Sequence, residues 1–148
     1  MKVNEILRDC RAFHSIAQEQ TVERALQMML AYSVSALLVK TKDGLHGIFT
    51  ERDLVRCHIL FPDKAINQIP VKDVMTSQLL VADPEDTIDE AMGMMIQAKI
   101  RHLPVVSNGQ IDGMLCLEDL VKKHVGHLNQ ELHYLKDYIS DLQDATTD

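Results

Sequence analysis

Thr21-Val22-Glu23-Arg24-Ala25-Leu26-Gln27-Met28-Met29 returns 66 positions later as Thr87-Ile88-Asp89-Glu90-Ala91-Met92-Gly93-Met94-Met95. The same offset carries Gly47 onto Gly113 and Asp53-Leu54-Val55 onto Asp119-Leu120-Val121, so the chain is one unit written twice. Between those matches the first copy has one residue more before its turn glycine (Thr41-Lys42-Asp43-Gly44 against Ser107-Asn108-Gly109) and one fewer after it. Compensation of that kind belongs in a hairpin loop.

Each copy reads in the same order. In the second, Leu79-Leu80-Val81 is expected as a short apolar strand and Asp83-Pro84-Glu85-Asp86 as a turn. Thr87 followed by Glu90 is a capping box that opens a helix. Ile88, Ala91, Met92, Met95 and Ile96 form the apolar stripe of that helix, matched in the first copy by Val22, Ala25, Leu26, Met29 and Leu30. Leu103-Pro104-Val105-Val106, the Asn108-Gly109 turn and Ile111 to Leu115 read as strand, turn and strand, and Leu117 to Lys123 as the closing helix. The fold class is therefore α/β (α+β): two tandem β-α-β-β-α units related by a pseudo-twofold axis. Each alone is too small to bury enough apolar surface, so they pack together and leave a cleft between them. Val3, Ile6 and Leu7 suggest a short leading helix, Pro62 to Pro70 a linker, and Lys72-Asp73-Val74-Met75 the lead into copy two. The expected boundaries are 1–63, 64–124 and 125–148.

Length and charge exclude several classes. One compact unit accounts for 148 residues. A formal net charge of −7 argues against a nucleic-acid binder, whose affinity rests on dense Lys and Arg, so an anionic ligand must be met locally. No apolar stretch has the length of a membrane helix, and Met1-Lys2-Val3-Asn4-Glu5 lacks the layout of a signal peptide. Cys10, Cys57 and Cys116 are scattered, without C-x-x-C, and read as reduced thiols of a cytoplasmic protein.

These features together resemble a CBS domain pair, the adenosyl-ligand-sensing module named after cystathionine β-synthase. The likeness rests on Gly47-Ile48-Phe49-Thr50-Glu51-Arg52-Asp53-Leu54-Val55-Arg56, Asp73-Val74-Met75-Thr76, Ile100-Arg101-His102-Leu103-Pro104-Val105-Val106 and Gly113-Met114-Leu115-Cys116-Leu117-Glu118-Asp119-Leu120, within residues 3 to 124. It implies a regulatory module, not an enzyme, with AMP, ADP, ATP or a related adenosyl compound in the cleft between repeats and no required cofactor.

Thr50-x-x-Asp53 lies where a strand hands over to a helix. Read plainly it is an N-cap with an acid in the first turn. Read functionally, hydroxyl and carboxylate face one groove and accept from a ribose, the role that residues at these positions have in the family. Phosphate, repelled by the aspartate, needs cations, and Arg101 and His102 stand on the threshold of an otherwise apolar strand. Their counterparts in copy one are Ser35 and Ala36, so the fold itself does not demand charge there; the plain alternative is a solvated strand end. Arg52 either reaches phosphate from the same loop or is a surface charge. The family's crossed geometry implies that Thr50 and Asp53 meet Arg101 and His102 in one competent site. The opposite pocket would pair Asp119 with Ser35-Ala36, with Cys116 in the threonine position, and is expected to be weakened or empty, the weakened site still taking adenosine without strong phosphate contacts.

Val125, Leu128, Leu132, Leu135, Ile139 and Leu142 are spaced 3, 4, 3, 4, 3, the seam of an amphipathic C-terminal helix. Two placements are open: folded back on its own domain, or joining a homodimer. His124, His127 and His133 lack a completing metal-ligand set, Cys116 lacks the partners of a nucleophile, and the eight methionines suit core filling. The reading is a non-catalytic adenine-nucleotide sensor acting on an unidentified target protein. Its alternative is a structural, protein-interaction module whose cleft is unoccupied and which acts through its dimer and C-terminal helix.

Overall fold

The computed structural model describes residues 1–8 and 13–146, apart from the side chains of residues 127, 145 and 146. The readings of Cys10 and of the His127 side chain lie outside the described residues. The elements run α1 (Val3–Leu7), β1 (Ser15–Ala17), α2 (Val22–Tyr32), β2 (Ala36–Thr41), β3 (Gly44–Thr50), α3 (Glu51–Leu60), 3-10 turns at Ile66–Gln68 and Val71–Asp73, α4 (Ile88–Ala98), β4 (His102–Ser107), β5 (Gln110–Cys116) and α5 (Leu117–Thr146). Among the described residues no helix is long and apolar enough to cross a membrane.

The duplication extends to backbone detail. Thr21 and Thr87 accept from the amides of Arg24 and Glu90, each at 3.1 Å, and so open α2 and α4. Thr87 N also donates to Glu90 at 3.3 Å, which completes the box that Arg24 cannot make in copy one. Ser33 and Lys99 end these helices in the left-handed region, at φ 54° and 57°. Both hairpins shift register at equivalent places, between Val39 and Lys40 and between Val105 and Val106.

The strand expected at Leu79–Val81 does not form. β1 pairs in parallel with β2 in a three-stranded sheet, but among the described residues the second sheet holds only β4 and β5, with a single parallel bridge from Ala82 to Val105. Proline is the reason. Leu38 N donates to His14 O at 3.0 Å and Gln18 N to Lys40 O at 3.3 Å; the equivalent donors in copy two would be Pro104 and Pro84, which have no N–H. The ladder is cut on both sides of Ala82, and Leu80 and Val81 remain exposed.

The cores are completed crosswise. Val74, expected to lead into copy two, packs instead, together with Val71, against Val22, Met29 and Phe49 in the first core. Val3 and Ile6 of α1 pack with Ile88, Met95 and Leu103 in the second. Backbone bonds fix both crossings: Val22 N to Ile69 O at 2.9 Å and Val71 N to Gln20 O at 2.7 Å on one side, and Val3 N to Asp86 O at 2.8 Å and Ile88 N to Met1 O at 3.1 Å on the other. The 63/64 boundary follows chain order, whereas packing does not. Ala36, Leu38 and Ile48 form a third buried cluster, against which Ile111 and Met114 of the other hairpin pack.

α5 is continuous from the closing helix of copy two through Gly126 to Thr146. Val125, Leu128, Leu132, Leu135, Ile139 and Leu142 are all 46–55% exposed, so the helix does not fold back on its own domain.

Candidate functional site

Two clefts lie between the repeats, and each takes its acidic loop from one repeat and its strand threshold from the other. The first, about 320 Å³, gathers Thr50 and Asp53 with Arg101 and His102, and adds Arg52 and Arg56. The second, about 400 Å³, brings Asp119 and Cys116 of copy two to Ser35 and Ala36 of copy one, beside an apolar wall that includes Phe13, Met29 and Val34. Ser35, Glu51 and His102 line both clefts, and Ser35 Oγ lies 2.9 Å from His102 Nε2 in the wall that separates them.

Asp53 is 1% exposed, at N3 of α3, because its carboxylate closes the helix start: Thr50 N donates to Oδ2 at 2.9 Å and the Thr50 hydroxyl to the same oxygen at 3.4 Å. The Thr76 hydroxyl donates to Oδ1 at 2.9 Å, and the Arg56 guanidinium approaches that oxygen to 3.6 Å. The plain capping reading of Asp53 therefore holds alongside its place in the cleft. Thr76 had no assigned role, although it stands in the Asp73-Val74-Met75-Thr76 segment. It reaches the site because Ile48 and Thr76 exchange backbone bonds, each at 2.9 Å. Arg56 was also missed; its signal is the i, i+3 spacing from Asp53.

The cations are engaged elsewhere. Arg52 Nη1 donates to the Lys99 carbonyl at 2.6 Å and so caps the C-terminus of α4. Arg101 leaves the Asp53 side to pair with Glu118 at 2.7 Å, an ion pair with both side chains more than half exposed. Asp119, equivalent to Asp53, is half-buried and has no side-chain hydrogen bond or ion pair among the described residues. The position equivalent to Thr76 in its core-crossing segment is Arg8, which has no hydroxyl. Those described residues also contain no group of three or more His, Cys, Asp or Glu that would hold a metal ion.

Burial, and after it the Arg101 guanidinium, hold the His102 pKa below its ordinary 6.5, against the pull of Glu51 and Glu118. A depressed histidine pKa favours the neutral ring in the fold, and the unfolded chain binds more protons once the pH nears 6.5. This contribution to stability is complete above pH 6.5 and is lost as pH falls through the folded pKa. Melting temperatures from pH 7.5 to 5 should fall less steeply for His102→Gln than for the parent, and identical slopes would refute the assignment.

Compared with known families, residues 3–59 and 71–126 match the CBS domain. The chain is similar to "CBS domain-containing protein CBSX3, mitochondrial" of Arabidopsis thaliana, 33% identical over 126 residues, and spans 82% of itself but 61% of that relative. A solved CBS domain, NE2398, matches with TM-score 0.79 at 33% identity over 84% of this chain and 98% of that one. The CBS domain pair of protein MJ0100, solved with 5′-methylthioadenosine and S-adenosyl-L-methionine, shares the fold at 19% identity and TM-score 0.74, over 86% of this chain and 98% of that one. Two matched repeats, packed so that each supplies half of the other's cleft, make this chain a member of the CBS domain family.

Proposed function

We propose that the chain is a non-catalytic regulatory module that holds an adenine nucleotide, AMP, ADP or ATP, in the Asp53 cleft. The observation that carries the reading is the gathering of Thr50 and Asp53 with Arg101 and His102 from opposite repeats around one cavity of about 320 Å³, a size suited to a small ligand. An ionised carboxylate has about four acceptor sites, and three on Asp53 are taken, so one ribose hydroxyl goes to Asp53 and its neighbour to Thr50 Oγ1. Phosphate is met by Arg101 swinging from Glu118, with Arg56 and His102 beside it. CBS domain pairs are generally regulatory, and the adenosyl ligands of MJ0100 support the ligand class.

Thermal unfolding tests this. At about 100 times its dissociation constant a ligand adds about 2.7 kcal/mol, roughly 5–10 °C for a chain of this size. A rise of that order with AMP, ADP or ATP is expected. No rise with these, S-adenosylmethionine or methylthioadenosine would leave the module without its ligand class.

The second reading, an interaction module, is favoured by α5, whose exposed heptad seam suits a second copy of the chain. The exposed apolar residues recur at the repeat offset, Leu30 with Ile96, Val55 with Val121 and Ile59 with Val125, as a face shared by both repeats would require. The two readings combine in a homodimer whose surface, presented to an unidentified target protein, responds to occupancy. Leu135→Asp is expected to raise the dimer dissociation constant at least tenfold in sedimentation experiments. A parent chain that is monomeric at micromolar concentration would remove the dimer from the proposal.

A further inference from the structure

The clefts differ in charge. Among the described residues lining the Asp53 cleft, Arg52, Arg56 and Arg101 outnumber Glu51 and Asp53. Among the described residues lining the Asp119 cleft, Glu51, Glu118 and Asp119 face one lysine and no arginine, Lys122 standing one helical turn beyond Glu118 and the histidines His14 and His102 completing the basic side chains. The Arg101–Glu118 ion pair joins the two: its cation belongs to the lining of one cleft and its carboxylate to the lining of the other, 2.7 Å apart.

Resting on the adenosyl-ligand reading above, we propose that the clefts sort ligands by charge, a phosphorylated one in the Asp53 cleft and an uncharged or cationic one in the Asp119 cleft, and that Arg101–Glu118 couples them. A phosphate drawing Arg101 toward Asp53 leaves Glu118 unpaired at the mouth of the second cleft. That carboxylate then attracts a cation and repels an anion. Coupling free energies are reciprocal, so a cation seated first at Glu118 releases Arg101 and tightens the phosphorylated ligand by the same factor. Both partners are more than half exposed, which limits the coupling to about fivefold.

Calorimetry on the full chain tests it with two probes of one shape, AMP and protonated 5′-amino-5′-deoxyadenosine. AMP is expected to bind once per chain. With AMP saturating, the amine is expected to bind once more, about two- to fivefold tighter than to AMP-free protein. In Glu118→Gln, an exposed substitution, that enhancement disappears and AMP itself binds more tightly because Arg101 has lost its competitor. Two equivalent AMP sites, one-for-one competition between the probes, or an enhancement that survives in Glu118→Gln would each overturn the sorting while leaving the adenosyl reading intact. Failure of both probes to bind would overturn both.

Discussion

Asp53→Ala is expected to lower the melting temperature of the ligand-free protein by roughly 2–12 °C and to abolish the rise caused by AMP. The stability loss follows from burial. Asp53 is 1% exposed and takes hydrogen bonds from Thr50 N, the Thr50 hydroxyl and the Thr76 hydroxyl. Leaving such donors unpaired costs about 1–3 kcal/mol, and each kcal/mol is about 2–4 °C in a chain of this length. The equivalent substitution, Asp119→Ala, removes a half-buried carboxylate with no partner among the described residues. It should stay within about 2 °C of the parent, as surface substitutions do. Calorimetric melting of both variants, with and without AMP, checks the pair. Equal losses would show that the Thr50–Asp53–Thr76 network carries little of the stability, and an undiminished AMP response in Asp53→Ala would remove Asp53 from the site.

Gly47→Ala is expected to cost about 1–3 kcal/mol, roughly 2–12 °C, and Gly113→Ala much less. A methyl at residue 47 would lie 2.7 Å from the Thr76 carbonyl oxygen and 2.9 Å from Met75 Sδ. That carbonyl accepts from Ile48 N, so it cannot retreat without breaking the bridge that holds Thr76 over Asp53. At residue 113 the methyl meets Leu7 Cδ2 at 2.9 Å, the far end of a side chain that turns aside through a rotamer change. The same argument makes AMP binding weaken in Gly47→Ala, since displacing Thr76 disturbs the Asp53 carboxylate. Melting curves of the two variants decide it; a larger loss for Gly113→Ala would mean that the segment over β5 is the stiffer one.

The repeat was legible because helix stripes, caps and turn glycines are local properties of residue order. The stripes place Val22, Ala25, Met29, Ile88, Ala91 and Met95 in the cores, whereas Leu30 and Ile96, expected in the same stripes, are exposed in the last turns of α2 and α4. The fate of the strand at Leu79–Val81 was not legible. Its apolar run satisfies the pattern, but its donors were to come from Pro104 and Pro84, distant residues whose effect is visible only once the register is known. The crosswise closure of the cores was hidden for a related reason. Val3, Ile6 and Leu7 match Val71, Val74 and Met75, but at a spacing of 68 rather than 66 and over five residues, too few to stand out. In the cleft, crossing brings Thr50, Asp53, Arg101 and His102 to one cavity. What residue type could not reveal is where each charge spends its bonds: Arg52 on the Lys99 carbonyl, Arg101 on Glu118, and Asp53 on its own helix start. Those choices depend on side-chain reach across two repeats, which periodicity does not encode.

Because each repeat borrows the segment that seals it, the two halves cannot be parted by a cut in the linker. A fragment ending at residue 63 would lose Val71 and Val74 from beneath Phe49, and one starting at 64 would lose Val3 and Ile6 from beneath Leu103. Heat should therefore melt the chain in a single step, and a load pulling on the first few residues would be felt at the start of α4, where Ile88 N holds the carbonyl of Met1.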